Sequence, residues 1–79
     1  MNTRLVLFHL KEAQEELNHL VDVFEHDPDE GQSEFEVRMQ HLYHHLNSGW
    51  HSQDAPENER ETDKLFFKRR QFPSDIDMS

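Results

Sequence analysis

The sequence contains no cysteine, only two glycines and three prolines, and no long hydrophobic run. The lack of cysteine excludes disulfides, thiolate metal sites, cysteine nucleophiles and thiol redox motifs. The longest uninterrupted apolar run, Leu5 to Phe8, is far shorter than the ~20 residues that a membrane-spanning helix needs. No secretory signal pattern precedes it, so we expect a soluble, cytoplasmic protein with no membrane partner.

Basic residues are also scarce, because 8 lysines and arginines stand against 17 acidic residues in a chain of 79. A chain this short, with 33% hydrophobic residues, has room for one small domain whose core supplies only about 3–5 kcal/mol. The remaining sources of stability are efficient helix packing, self-association or a histidine or carboxylate metal site. Without them, part of the chain is disordered.

The charge is unevenly distributed along the chain. Residues 1–63 contain 15 acids and 4 bases, a net charge of −11, whereas residues 64–79 contain 4 bases and 2 acids, a net charge of +2. An acidic body followed by a short basic segment is typical of an appended motif.

The first third of the chain has the heptad periodicity of a packed helix. Its apolar positions are separated alternately by four and three residues, which strand alternation cannot produce. They are Val6, Leu10, Ala13, Leu17, Leu20 and Phe24. Thr3 is a suitable N-cap, and Pro28 stops the helix after Asp27. The pattern predicts a helix over residues 3–26.

A second helix is predicted after a turn. Residues 26–32 are rich in turn-forming residues, and Ser33 with Glu36 forms a capping-box pattern that marks a helix start. The apolar stripe of this helix consists of Phe35, Met39, Leu42, Leu46 and Trp50, with Tyr43 beside it. We predict a helix over residues 33–52, giving an all-α antiparallel hairpin over residues 1–53.

The remainder of the chain divides into two parts. Residues 54–63 are mainly acidic and polar and contain one apolar residue, Ala55, so we interpret them as a linker. Residues 64–79 combine four bases with Phe66, Phe67 and Phe72, which is not a linker composition. So short a segment does not hold a helix alone, and we expect a tail that is either flexible or docked.

The apolar surface of the first helix is wider than one partner helix can cover. Leu7 and Val21 extend the stripe on one flank, and Leu5 and Val23 extend it on the other. The simplest arrangement that buries this surface is a homodimer of hairpins forming a four-helix bundle, with the two stripes as its seam. The alternative is a monomer in which the phenylalanines of the tail close the hairpin as a third element.

The spacing over residues 3–52 resembles that of the small dimeric helical-hairpin proteins of the Rop type. The resemblance implies the same architecture of two chains in one bundle. It implies no shared activity, because the helices lack the basic residues that such a protein would use to grip RNA: Arg4, Lys11 and Arg38 are nearly all they offer.

Four of the seven histidines lie in or just after the second helix. His41 and His45 are four residues apart, as two ligands of a helical zinc site would be. The candidates for a third ligand are His9, Glu12 and Glu16. Arg38 opposes metal binding, and solvated histidines at the edge of the stripe explain the pattern without metal. A further hypothesis is that protonating His41 and His45 near pH ~6.5 loosens the dimer.

The sequence lacks a glycine-rich phosphate loop, a G-x-S-x-G elbow and an H-E-x-x-H helix, and a hairpin offers grooves rather than a pocket. We therefore expect no enzyme and no cofactor, but a protein-interaction or regulatory module. The predicted partner-binding residues are Tyr43, Phe66, Phe67, Arg69, Arg70 and Phe72, because aromatic and arginine side chains dominate binding hot spots.

The acidic body suggests an alternative function. Acidic residues cover the outer side of the first helix and the turn, as in an inhibitor that mimics a nucleic acid and binds a basic nucleic-acid-processing enzyme. Direct binding of a nucleic acid by the basic tail is disfavoured, because the body with its charge of −11 repels a polyanion.

Overall fold

The computed structural model describes residues 1–77, which form three helices and no strand. The helices are α1 (Thr3–His26), α2 (Pro28–Ser52) and α3 (Asp63–Arg69). The two long helices pack against each other, and α3 packs against α2. The predicted all-helical class is confirmed. None of these three helices combines the length and the apolarity needed to cross a bilayer.

A single non-helical residue, Asp27, joins the two long helices. Its backbone N–H donates to Val23 O of α1, and its side chain accepts a hydrogen bond from Glu30 N of α2. Pro28 occupies the first helical position, where its missing N–H is not needed. The second helix therefore starts at Pro28 and not at Ser33, where the capping-box pattern places its start. One good cap followed by proline is sufficient to begin a helix.

The two helices run antiparallel from this connection. Near the turn Phe24 packs on Gly31, and near the other end His9 of α1 meets His45 of α2. The two long helices therefore form the antiparallel pair expected for a hairpin.

The segment between α2 and α3 packs against the start of α1. Asn2 caps α1 in place of the expected Thr3, since its side chain accepts a hydrogen bond from Leu5 N. The same side chain donates to the backbone oxygens of Pro56 and Glu59, at 2.7 and 3.0 Å. The expected linker, residues 54–63, is therefore held by specific contacts.

The buried face of α1 differs from the heptad stripe predicted as the seam. The buried apolar and aromatic side chains of α1 are Leu5, His9, Ala13 and Leu20. Leu10 and Leu17 of the predicted seam are each 48% exposed, and Phe35 and Leu46 on α2 are 46% and 42% exposed. Ala13 and Leu20 of the predicted seam are buried, and the other seam residues are partly buried: Val6, Phe24, Met39, Leu42 and Trp50. The hairpin buries one edge of each stripe and leaves the other edge outside.

Small residues allow the two helices to approach closely. The buried residues of α2 are Gly31, Asn47, Ser48, Gly49 and Ser52. A Cβ atom at Gly49 would lie 3.5 Å from Cβ of His9, and one at Gly31 would lie 2.8 Å from the ring of Phe24. Bulky side chains are therefore excluded from both ends of the contact.

The two glycines provide a matched test of this packing. Gly31→Ala is expected to destabilise the hairpin, because overpacking costs about 1–3 kcal/mol and exceeds the gain of at most ~1 kcal/mol from the helix propensity of alanine. Gly49→Ala meets only ordinary contact and should stabilise the hairpin by up to ~1 kcal/mol. Urea unfolding followed by circular dichroism measures both changes. Equal effects of the two substitutions would contradict the close approach at Gly31.

Candidate functional site

One side of the hairpin carries a continuous exposed apolar surface, which we term the open face. Its residues are Leu10, Leu17 and Val21 of α1 and Phe35, Met39 and Leu46 of α2. All of them are about half exposed except Met39, which is partly buried. So large a set of apolar side chains on a small domain is typical of an interaction surface.

Helix geometry places both stripes on the same side of the hairpin. At 100° per residue, Leu10, Leu17 and Val21 lie to one side of the buried row that contains Leu5. Because α2 runs in the opposite direction, the stripe through Phe35 lies on the same side of the pair. The rings of Phe24 and Phe35 meet edge to face, with centroids 6.0 Å apart, and join the two stripes near the turn.

Charged residues lie mainly away from the open face. Gln14 of α1 and Gln32 of α2 border it, and Glu36 is the acidic residue nearest the α2 stripe. Residues 22–36, around the turn, contain seven acids and no lysine or arginine. We term this end of the hairpin the acidic pole. The opposite end mixes acids with most of the bases, so it carries little net charge.

Arg38 links the acidic side chains of the two helices. Its guanidinium lies 3.1 Å from the carboxylate of Glu34 and 3.3 Å from that of Glu16. Burial raises the pKa of Glu16, but the hydrogen bonds from Arg38 and His41 outweigh it and hold that pKa below its usual range. This part of the acidic surface is therefore already neutralised within the chain.

The two histidines proposed as a zinc pair have different partners. Nδ1 of His41 lies 3.1 Å from the Glu16 carboxylate, whereas Nδ1 of His45 lies 3.2 Å from Nδ1 of His9. In the part of the chain that the structure describes, no three histidine, aspartate or glutamate side chains come together in a way that could hold a metal ion. The His41 and His45 spacing therefore does not build a site in one chain.

A histidine cluster, fully buried at one member and partly buried at the other three, lies where α1, α2 and α3 meet. It consists of His9, His45, Glu61 and Phe66. His9 is fully buried, and its Nε2 contacts the carboxylate of Glu61. The Phe66 ring stacks on both imidazoles, with its centroid 5.6 Å from that of His9 and 5.0 Å from that of His45.

Burial is the main influence on both imidazoles. It lowers the pKa of His9, although the Glu61 carboxylate raises it and offsets part of this effect. Burial also lowers the pKa of His45, and the charge of His9 adds to the effect. Both rings therefore favour the neutral form more strongly than a free histidine does.

The predicted partner-binding residues are divided between interior and surface. Phe66 packs in the histidine cluster, and Arg69 pairs with Glu59 at 2.6 Å. Phe67 is exposed, with the guanidinium of Arg70 stacked 4.0 Å from its ring centroid. The other exposed pair is Tyr43 and Phe72, whose rings meet at 5.3 Å. The residues available to a partner are thus Tyr43, Phe67, Arg70 and Phe72.

The histidine cluster was not predicted as a unit. From the sequence, His9 is a candidate only as a metal ligand, and Glu61 falls in the predicted linker. The available signal was the spacing of Leu5, His9 and Ala13, which are four residues apart and form the row that faces α2. Nothing local in the sequence indicates that Glu61 returns to this row.

Comparisons with protein-family models, with curated proteins and with solved structures find no match for this chain. The functional inference therefore depends on its own residues and geometry.

Arg38→Gln tests the charged link between the helices. We expect it to raise the pKa of Glu16 and to lower the free energy of unfolding at neutral pH. The pKa of Glu16 is depressed in the folded state, so its contribution is present above pH ~4.5 and is lost as the pH falls further. NMR titration of the carboxylates and urea unfolding measure the two effects. Lys11→Gln removes the same charge from an exposed site and should change neither quantity.

Proposed function

We propose that the protein is a small interaction or regulatory module that assembles as a homodimer through the open face and binds another protein with its exposed aromatic residues. The observation that carries the proposal is the half-exposed apolar stripe on each helix. In a dimer, both stripes would meet the same stripes of a second copy around a twofold axis.

The apolar surface is large enough to support association. Burying the remaining exposed half of one leucine or phenylalanine contributes roughly 1 kcal/mol. The six side chains of each copy would together contribute on the order of 10 kcal/mol, against an association cost of about 4–15 kcal/mol. We therefore expect a reversible dimer whose population depends on protein concentration.

The distribution of charge favours a second copy as the occupant of this face. Each chain carries a net charge of −9, so two copies repel one another wherever their acidic surfaces meet. The open face is bordered by Gln14 and Gln32 and carries few acids, so two copies can approach there with little repulsion. A strongly basic partner would find its complement at the acidic pole instead.

The acidic pole also favours one orientation of the dimer. If both turns lay at the same end, seven acids of each chain would face each other. In a turn-to-tail arrangement, the two poles lie roughly 35 Å apart, the length of α1, which is well beyond the Debye length of ~8 Å at physiological salt. We therefore propose that the turn of each copy lies beside the chain ends of the other.

Leu17→Asp tests assembly through the open face. A charge buried in the seam of both copies should weaken the dimer by at least ~100-fold and give a monomer in analytical ultracentrifugation. The matched control is Val37→Asp, since Val37 is 55% exposed and lies away from the open face. Circular dichroism establishes that both variants remain helical. Equal sedimentation of a helical Leu17→Asp variant and the wild type would refute this interface.

The absence of cysteine allows the orientation to be tested by disulfide formation. Leu7 and Val21 lie at opposite ends of α1 on the open side and equally far from Gln14. When Leu7→Cys and Val21→Cys chains are mixed and oxidised, a turn-to-tail dimer should give the mixed disulfide. Disulfides that join only two Leu7→Cys chains or two Val21→Cys chains would show that the turns lie at the same end. That result would contradict the proposed orientation but not the proposed dimer.

A second candidate function is an acidic inhibitor or nucleic-acid mimic aimed at a basic nucleic-acid-processing enzyme. It is supported by the acidic pole, where seven acids occur without lysine or arginine. Arg38 neutralises Glu16 and Glu34 from within the chain, so the mimicking surface would be confined to the turn. Such binding would weaken steeply with added salt, whereas association through the open face would not.

A further inference from the structure

We propose that the histidine cluster is a proton-operated latch, which holds residues 60–77 on the hairpin in the neutral form and releases them on acidification. The feature that carries this proposal is the way the C-terminal part of the chain is attached. Its central residues, Glu61 and Phe66, both contact imidazole rings.

The main anchor of residues 60–77 is this cluster, and a second attachment is the buried Asn47 side chain, whose Nδ2 donates to Arg70 O at 3.0 Å. Phe66 lies nearly parallel to His9, at an interplanar angle of 10°, and at 28° to His45. Helix α3 itself has seven residues and no buried side chain. Because a helix this short is not stable in isolation, α3 depends on its contacts with the hairpin.

The hydrogen bond between the two imidazoles limits how many protons the cluster accepts. The Nδ1 atoms of His9 and His45 are 3.2 Å apart, so one must donate and the other must accept. His9 can be charged while His45 is neutral, because its Nε2–H then faces the Glu61 carboxylate. When both rings are charged, two N–H groups point at each other and the bond is lost.

The surrounding charges compensate for one proton more readily than for two. Glu61, Glu12 and Arg69 act on His9, with the carboxylates favouring its charged form and Arg69 opposing it. His45 experiences Glu12 and Glu16 as favourable charges, and His9 and His41 as unfavourable ones. His44, which meets the Phe66 ring edge to face, has a pKa lowered by burial and then by Arg70 and His41. A second proton on the cluster therefore lacks a carboxylate of its own in direct contact.

The direction of the pH effect follows from these contacts. Burial lowers the pKa of both histidines in the docked state, and the Phe66 ring covers one face of each imidazole. Undocking exposes those faces to water, so the released state binds more protons below pH ~6.5. Docking is then fully stable above that pH and weakens as the pH falls. Each histidine that must lose its proton to dock raises the equilibrium constant for release by about tenfold at pH ~5.5.

The contacts at the far end of the segment are exposed and provide a reporter. Nε1 of Trp50 lies 3.3 Å from the carboxylate of Asp75, and Nε2 of His51 lies 2.8 Å from Gln71 O. Trp50 is the one tryptophan of the chain. Its fluorescence therefore reports whether residues 70–77 lie against α2.

The experiment is a titration of Trp50 emission from pH 7.5 to pH 5.5 in the full-length protein, with the mass followed in parallel by ultracentrifugation. We expect a red shift on acidification while circular dichroism retains the signal of α1 and α2. His45→Gln keeps a hydrogen-bonding group but removes one titrating ring, and it should reduce the change in the release constant about tenfold. His26→Gln removes an exposed histidine at the acidic pole and should leave the titration unchanged.

Glu61→Gln provides a variant with the opposite effect. Without the carboxylate, His9 loses compensation for its proton, so the midpoint of the Trp50 titration should move to higher pH. Emission that does not change between pH 7.5 and 5.5, or an identical titration for the wild type and His45→Gln, would overturn the latch. A change of mass without a change of Trp50 emission would do so too, because the pH response would then belong to the dimer.

Discussion

The connection of the two long helices through Asp27 alone is the constraint on which the rest of the structure depends. With no loop to absorb a rotation, the last turn of α1 and the first turn of α2 fix which faces meet. Phe24 must lie over Gly31, whose missing side chain makes room for the ring. From there the row through Leu20, Ala13 and His9 is directed at α2, and the heptad positions Leu10 and Leu17 are turned outward.

Because these faces of α1 and α2 meet, the hairpin has an unusual interior. Near the chain ends its fully buried side chains are polar, among them Asn2, His9, Ser48 and Ser52, while large apolar side chains lie on the surface. Polar groups in such positions gain little from the hydrophobic effect and depend on hydrogen bonds to remain buried. The cap formed by Asn2 and the contact of His9 with Glu61 provide such partners for these two residues, whereas the hydroxyls of Ser48 and Ser52 have no hydrogen-bond partner within residues 1–77. The apolar surface left outside is the surface proposed for assembly.

The helical class and the existence of two long helices could be predicted from the sequence, because heptad spacing and strong helix formers are local signals. The edge of each stripe that is buried could not be predicted, because it depends on the length of the turn. Residues 26–32 are all rich in turn signals, whereas in the structure Asp27 alone forms the connection and α2 begins at Pro28. The histidine cluster could not be predicted from the sequence either. His9 and Glu61 are brought together by the return of residues 53–62 across the start of α1, a path that depends on the polar contacts of Asn2 and on the pair of Glu59 with Arg69.

The proposed latch and the proposed dimer share part of one surface. Residues Phe72, Pro73 and Ile76 lie in a groove with Tyr43, Leu46 and Trp50, and Leu46 also belongs to the open face. A second copy seated on that face therefore meets the edge of the docked segment. If docking of the segment changes the affinity between copies by some factor, dimerisation must change the docking equilibrium by the same factor. Because docking is linked to protonation of His9 and His45, the apparent pKa of the cluster would then depend on protein concentration.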